Sequence, residues 1–470
     1  MRKPDRFIGF IEMEGKNVPY EFDADAFKLK LYYPTPDEAR EHIFDGFLSF
    51  DQSSEKKHEW IPSDNFIASL AGGNTVIFNV RNSPASFCGY KTYDVNWYYL
   101  YSGDKVQADG IRICGREINY FYPPQNALKS SITFSEDRRK ITEMEVHSNG
   151  ASEIECGSFT INGHEIHVSG AAVATFHHQS STPMDAKSYL YAESMSSFDL
   201  ETAIRLVWVL KSFIMYVTYR SNVVFDTIDV FERNEEGLRN YIGVLAFPQE
   251  ENDESHEKAA ERIIGYNKLT EKSALLMKTI QDNQLSFQHL CKSIDDRRHY
   301  PSSRIIMLLS AFEREFRNIY GQDVGRSEDY TQLKIEVISC LEQMRSGEHG
   351  NRRKYMKQII NLVENSDNNY GENVKKALLD CIDVMAPFIN IRYDGQIEEL
   401  ISDIASRMNI LRNGIAHSRL DLEIEAIHLA DIRIIEELLY AIRMKSMGFD
   451  ALLIKRAIND LFHENFAFEK

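Results

Sequence analysis

The sequence predicts an α+β protein of several domains, in which a β-rich antiparallel N-terminal domain is followed by an all-α C-terminal helical bundle. Two observations carry this prediction. Apolar residues recur with a period of roughly two as far as residue 195, and with a period of roughly 3.6 beyond it. The length of 470 residues indicates about three domains, each long enough to bury a core.

The first domain, predicted over residues 1–195, reads as short strands joined by turns. Asn162-Gly163 separates two strand-like runs and predicts a hairpin, because these residues tolerate the positive φ angles of a two-residue turn. The pattern indicates an antiparallel sandwich or a barrel-like domain. Other strand patterns cover residues 7–13, 18–22, 27–33, 75–80 and 95–101.

A helical connector is predicted over residues 196–300. Ser197 is placed to cap a long apolar helix whose first turn carries Asp199. The acidic stretch 249–257 cannot bury a core and predicts a loop, after which a helix resumes by Lys258.

The third domain, predicted over residues 301–470, is helical throughout. Each helix pattern carries an apolar stripe, and Gly321 is expected to end the first. The short polar connections suit antiparallel helices of a bundle. Helix patterns cover residues 305–319, 333–344, 355–363, 374–384, 397–411 and 431–444.

Charge and targeting signals narrow the function classes. The 71 acidic and 54 basic side chains give a net charge of -17, which argues against wholesale electrostatic coating of DNA or anionic membranes. The apolar stretch near the N-terminus is short and broken by Glu12, so no secretory signal is predicted. No segment reaches the roughly 20 apolar residues of a membrane span. The sequence therefore predicts a cytoplasmic protein without a membrane partner.

A basic cluster leaves room for a local nucleic-acid groove despite the acidic balance. Its side chains could follow an RNA backbone, or form a solvated helix face. The cluster consists of Arg352, Arg353, Lys354 and Lys357.

The most informative segment, Arg412-Asn413-Gly414-Ile415-Ala416-His417, lies at the end of the amphipathic pattern 397–411. If Gly414 ends the helix, Arg412 and Asn413 occupy its last turn and His417 follows on the next element. If the helix continues, Asn413 and His417 lie four residues apart on one face. Either geometry brings the three polar side chains together. Helix capping explains each of them singly, but it does not predict all three in one bundle.

These residues resemble the motif of the HEPN superfamily, which is an arginine, a polar residue that is often asparagine, and a histidine separated from the arginine by four to six intervening residues. Arg456 and His463 repeat the loose spacing, but Ala457 follows that arginine and the pair lies at the C-terminus. The β-rich first part followed by a helical domain is similar to the ApeA-like anti-phage proteins, a HEPN branch associated with abortive infection.

The resemblance implies a metal-independent endoribonuclease without a cofactor, in which two HEPN domains form a homodimer around a composite site. His417 would take the ribose 2′-hydroxyl proton, Arg412 would stabilise charge on the phosphate, and Asn413 would orient one of them. The expected products carry a 2′,3′-cyclic phosphate and a 5′-hydroxyl.

Glu313, on an earlier helix, is similar to the acidic residue that HEPN domains carry opposite the motif arginine. It would hold Arg412 in place. The alternative is a surface carboxylate that pairs with Arg317 one turn along the same helix.

The resemblance leads to one functional hypothesis and one rival. The hypothesis is a defence ribonuclease that cuts cellular RNA, with tRNA a reasonable guess, after a phage-derived trigger acts at the N-terminal region. The rival is a non-catalytic HEPN module that only dimerises or binds a partner.

Overall fold

The structure, a computed structural model, is described in two units within the following residues: 5–13, 15–32, 64–70, 73–81, 85–87, 90–103, 107–135, 141–148, 150–177, 181, 184–321, 328–364, 370–416 and 424–468. The β-rich unit spans Met1–Ile214, Asn222–Asp253 and Leu269–Lys278. The helical unit spans Met215–Ser221, Glu254–Lys268 and Thr279–Lys470. The predicted fold class, a β-rich region followed by a helical region, is confirmed.

Antiparallel strands make up the β-rich unit. Buried and exposed side chains alternate along many of them, because successive side chains point to opposite faces of a sheet. The strands are β1 (Arg6–Met13), β2 (Lys16–Asp23), β3 (Lys28–Tyr32), β4 (Asp64–Leu70), β5 (Thr75–Val80), β6 (Ala85–Phe87), β7 (Tyr90–Tyr101), β8 (Ala108–Cys114), β9 (Leu128–Phe134), β10 (Ile141–Ser148), β11 (Ala151–Ile161), β12 (His164–Phe176), β13 (Met184–Phe198), β14 (Thr227–Arg233) and β15 (Arg239–Ala246).

Six strands close into a ring, because β7 pairs with β3 on one side and with β5 on the other. The order around the ring is β7, β3, β2, β1, β4 and β5. Its interior is aromatic: Phe7, Phe22, Phe78 and Tyr98 are buried, and the Phe22 and Phe78 rings lie 4.7 Å apart. Burial of these large side chains is the main source of stability here.

The sheet continues from β7 through β15, β14, β8, β13, β12 and β11. The predicted hairpin is present between β11 and β12, where Asn162 and Gly163 have φ angles of 49° and 83°. Strands β14 and β15 occupy residues for which the sequence analysis predicts a helical connector. The acidic residues 249–255 form no regular secondary structure, and a helix resumes at His256.

The helices of the described chain are α1 (Arg116–Phe121), α2 (Leu200–Thr218), α3 (His256–Ala260), α4 (Tyr266–Leu269), α5 (Ser273–Gln281), α6 (Ser302–Tyr320), α7 (Glu328–Ser346), α8 (Gly350–Glu364), α9 (Tyr370–Asp380), α10 (Ile382–Asn390), α11 (Ile397–Ala416), α12 (Ala426–Ser446) and α13 (Ala451–Phe462). Among them, none combines the length and apolar character that a membrane crossing requires.

The cap of α2 differs from the prediction. The backbone N–H of Thr202 donates to the Asp199 carboxylate at 2.9 Å, so Asp199 caps the helix. Ser197 lies two residues before this cap position and instead donates a hydroxyl hydrogen bond to Asp109 at 2.6 Å.

Helices α6 and α12 form the centre of the helical unit. The apolar face of α6 buries Ile305, Leu308, Phe312 and Phe316, and the helix ends at Gly321 with φ of 82°, as predicted. The predicted helix over 374–384 is divided at Cys381 into α9 and α10.

Charged side chains lie buried on α12, each beside a partner of opposite charge. Glu436 accepts a hydrogen bond from Arg304 at 2.7 Å. Arg392, just after α10, donates to Glu437 at 2.8 Å, and Arg407 of α11 donates to Asp431. Removing one partner of such a pair leaves a buried charge and is strongly destabilising. These pairs therefore fix how the neighbouring helices pack on α12.

Helices α7 and α8 pack chiefly on each other. No described side chain of α7 is buried, and Ile360 is the buried side chain among those described in α8. Their exposed apolar side chains include Leu333, Ile335, Met344 and Leu362. The apolar stripe predicted for α7 is thus exposed.

Candidate active site

The segment that carries the motif is helical. Helix α11 continues through Gly414 to Ala416, so Gly414 is buried inside the helix and does not end it. The alternative in which the helix continues is confirmed as far as Ala416. Arg412 and Asn413 lie in the last turns of α11, whereas His417 lies outside the described residues.

Arg412 meets Glu313 where α11 packs against α6. Arg412 follows the fully buried Leu411, and Glu313 follows the fully buried Phe312, so both lie at the edge of the apolar face of their helix. The Arg412 Nε donates to Glu313 Oε1 at 3.0 Å, with the two side chains 38% and 22% exposed. The packing of the two helices therefore brings together residues that lie 99 positions apart.

Glu313 also approaches Arg317. Its second oxygen, Oε2, lies 3.9 Å from an Arg317 Nη atom one turn along α6. Glu313 thus makes both of the predicted contacts in this structure, and the closer one is to Arg412. Two arginines around one carboxylate leave the trio with one net positive charge.

One edge of the Arg412 guanidinium is open. Its Nη1 lies 3.5 Å from Asn413 Oδ1, a long and weak contact, and Nη2 makes no hydrogen bond within the described chain. A guanidinium held through Nε and free at its Nη atoms can donate two parallel hydrogen bonds to a phosphate. The arrangement thus suits binding of an oxyanion.

Tyr370, the first residue of α9, is a neighbour that the sequence analysis missed. Its ring packs on Phe312 at 5.4 Å, and its hydroxyl is buried without a hydrogen-bond partner among the described residues. Burial raises the pKa of Tyr370 well above its ordinary value, the nearby Glu313 carboxylate adds to the rise, and Arg412 opposes it. No local signal marked this tyrosine, because its role depends on tertiary packing.

The basic cluster lies on α8. Arg352, Arg353, Lys354 and Lys357 are all exposed, and Arg352 lies 3.2 Å from Glu348 one turn earlier. This geometry matches a solvated helix face. Whether the cluster contacts RNA stays a prediction.

The second arginine–histidine pair lies elsewhere. Arg456 lies on α13, and His463 ends that helix with a left-handed φ of 55°. No contact of either residue with Glu313 is described.

Neither clustered metal ligands nor similar proteins point to a further functional residue in the described chain. In the parts of the chain that the structure describes, no three His, Cys, Asp or Glu side chains come together as a metal site. Comparisons with models of protein families, with curated proteins and with solved structures find no match for this chain.

Proposed function

We propose that this chain is a metal-independent endoribonuclease of the HEPN type, with Arg412, Asn413 and His417 at its site. The observation that supports it best is the contact of Glu313 with Arg412, which holds the guanidinium through Nε. It leaves Nη1 with one long contact and Nη2 without a hydrogen bond to any described residue. A structural ion pair needs no open edge, whereas a phosphate-binding arginine does. The net positive charge around Glu313 favours the same ligand.

The proposed reaction needs only groups of the chain and of RNA. His417 takes the proton of the 2′-hydroxyl, and the 2′-oxygen attacks the adjacent phosphorus. The bond from phosphorus to the 5′-oxygen breaks, and an acid, the partner's His417 or water, protonates the leaving oxygen. Arg412 stabilises the charge that develops on the phosphate. DNA lacks the 2′-hydroxyl and is not cut.

The biological role follows from the danger of such an activity. A ribonuclease that cuts cellular RNA must be held inactive, so the β-rich unit would bind a phage-derived trigger that favours the active state. An anticodon loop of tRNA suits the reaction, because an unstacked loop lets the 2′-oxygen align with its phosphate. The proposed outcome is abortive infection in the cytoplasm, with the homodimer as the active form.

The first test is cleavage of total cellular RNA by the purified full chain in EDTA, with and without phage lysate. His417→Ala should slow cleavage by about a hundredfold to ten-thousandfold, as expected for loss of an acid–base group. Arg412→Lys keeps the charge but lacks the planar fork, and should also lose most activity. Arg314→Ala is the matched control, because Arg314 is on α6 beside Glu313 but contacts Asn283.

Mapping of the RNA ends separates the proposal from its rival. Cyclic-phosphate ends made by the wild type and the control, and not by the two motif variants, support the nuclease. If a folded wild-type dimer cuts nothing with lysate present, the non-catalytic partner-binding module replaces it.

A further inference from the structure

A cavity rich in arginine lies in the helical unit, away from the residues discussed so far. It has a volume of about 640 Å³, within the range of small-molecule sites. We call it the arginine cavity. Its lining comes from the turn Asp295–Arg298, from α12 and from the end of α13, and its charged residues are Lys258, Arg262, Arg297, Arg298, Arg433, Asp295 and Glu464.

The lining carries an excess of positive charge. Its five lysine and arginine side chains face two carboxylates, in a chain whose net charge is -17. Like charges gathered around one cavity repel each other, and the cost is greatest where water is excluded. An anion in the cavity would remove that cost.

Arg297 is the most deeply placed of these cations. It is 5% exposed, and its Nη atoms donate to the carbonyl oxygens of Leu461 and Thr218, the latter at 3.2 Å. Its Nε is buried with no hydrogen-bond partner, and no carboxylate in the described chain pairs with it. Binding to two carbonyl groups at helix ends explains the Nη contacts, and the guanidinium lies 5.6 and 5.7 Å from the ring centroids of Tyr219 and Phe462. The Nε still lacks a hydrogen bond and the charge lacks a carboxylate partner in the described chain.

Arg298, the next residue, is free at the surface. It is exposed and makes no hydrogen bond or ion pair with the residues described. By contrast, Lys258 donates to Asp295 at 2.9 Å and Arg433 donates to Glu464 at 3.1 Å. The two arginines of the lining without a described carboxylate partner are thus the buried Arg297 and the exposed Arg298.

The other side of the lining is apolar and aromatic. Ile294, Leu429, Tyr300 and Phe462 contribute to it. Arginines beside an aromatic and apolar wall match a molecule with a phosphate group at one end and a flat ring at the other.

We propose that the arginine cavity binds a small phosphate-bearing ligand of the nucleotide class, with the exposed Arg298 as the phosphate contact and the buried charge of Arg297 attracting the anion. The site is separate from Arg412 and does not depend on ribonuclease activity.

The test is calorimetric titration of the full chain in EDTA with ATP, inorganic phosphate and adenosine. ATP should bind one molecule per chain and raise the melting temperature, because a ligand that binds only the folded state stabilises it. Adenosine, which lacks phosphate, should not bind. Arg298→Glu should weaken ATP binding by about tenfold or more, since it reverses a charge-assisted contact.

Lys129→Glu is the matched control, because Lys129 of β9 is an exposed cation whose side chain has no described partner and the charge change is identical. Its ATP affinity should equal that of the wild type. Absence of ATP binding at about 1 mM overturns the proposal, as does equal weakening by both variants. Equal affinity for inorganic phosphate and ATP overturns the nucleotide assignment.

Discussion

Two buried tyrosines of the helical unit differ in what their hydroxyl groups contact. Tyr219 donates to Glu436 at 2.6 Å, whereas the Tyr370 hydroxyl is buried and has no partner in the part of the chain that the structure describes. A buried hydrogen bond to a charged group contributes about 1.5 to 3 kcal/mol, and an unsatisfied buried hydroxyl costs free energy instead.

Replacing each tyrosine by phenylalanine should therefore change stability in opposite directions. Tyr219→Phe should lower the free energy of unfolding by about 2 kcal/mol, and Tyr370→Phe should leave it unchanged or raise it by about 1 kcal/mol. Urea unfolding followed by circular dichroism measures both. A loss with Tyr370→Phe as large as that with Tyr219→Phe would mean that the hydroxyl has a partner after all.

His289 makes part of the stability depend on pH. Burial lowers its pKa from 6.5 to about 4, Arg304 lowers it too, and Glu436 opposes both. The unfolded chain thus binds a proton more readily than the folded one between those pH values. Stability from this group is complete above pH 6.5 and is lost as the pH falls toward 4.

His289→Phe should remove that dependence. Between pH 7 and pH 5 the wild type should lose about 2 kcal/mol more than the variant. Melting curves at the two pH values give the comparison, in which the carboxylates common to both proteins cancel. An equal loss in both proteins would show that His289 is protonated in the fold.

At the scale of elements, the start of α2 depends on one carboxylate. Asp199 accepts from the Thr202 N–H, and this contact lowers its pKa. The cap therefore stabilises the helix when ionised and weakens as the pH falls through that lowered pKa.

Asp199→Ala should cost about 1 kcal/mol at neutral pH, while Asp199→Asn keeps an acceptor oxygen and should cost only a few tenths. Thermal unfolding of the three proteins measures the order. If alanine and asparagine cost the same, the side chain does not cap α2.

The sequence predicted elements whose signals are local and missed those that depend on distant partners. The Asn162-Gly163 hairpin and the end of α6 at Gly321 follow from positive φ angles. Strands β14 and β15 pair with each other and also with β8 and β7, more than a hundred residues earlier. The motif likewise identified Arg412, and the resemblance pointed to Glu313 as its partner, a contact that the structure shows. Tyr370 carried no local signal.

At the scale of the whole molecule, the helical unit is not one continuous segment. It includes Met215–Ser221 and Glu254–Lys268, far before the domain start predicted at residue 301. The local sequence of these two segments does not indicate which unit they pack with, because that depends on distant contacts.

A fragment of residues 301–470 should therefore be less stable than the same helices in the full chain. It lacks Tyr219 and Tyr300, which donate to the buried Glu436 at 2.6 and 2.8 Å. We expect a lower and broader melting transition for this fragment by circular dichroism, because a buried carboxylate loses two donors. A fragment that melts as sharply and as high as the full chain would contradict this.

The isolated packing of α7 and α8 has a consequence for local unfolding. Because little apolar surface is buried there, unfolding α7 and α8 from helix to coil removes few contacts of the remaining bundle. Their backbone amides should exchange with deuterium well before those of α12, in which every side chain from Asp431 to Met444 except Arg433 is buried. The protein can thus melt one helical hairpin while its charged central helix stays folded.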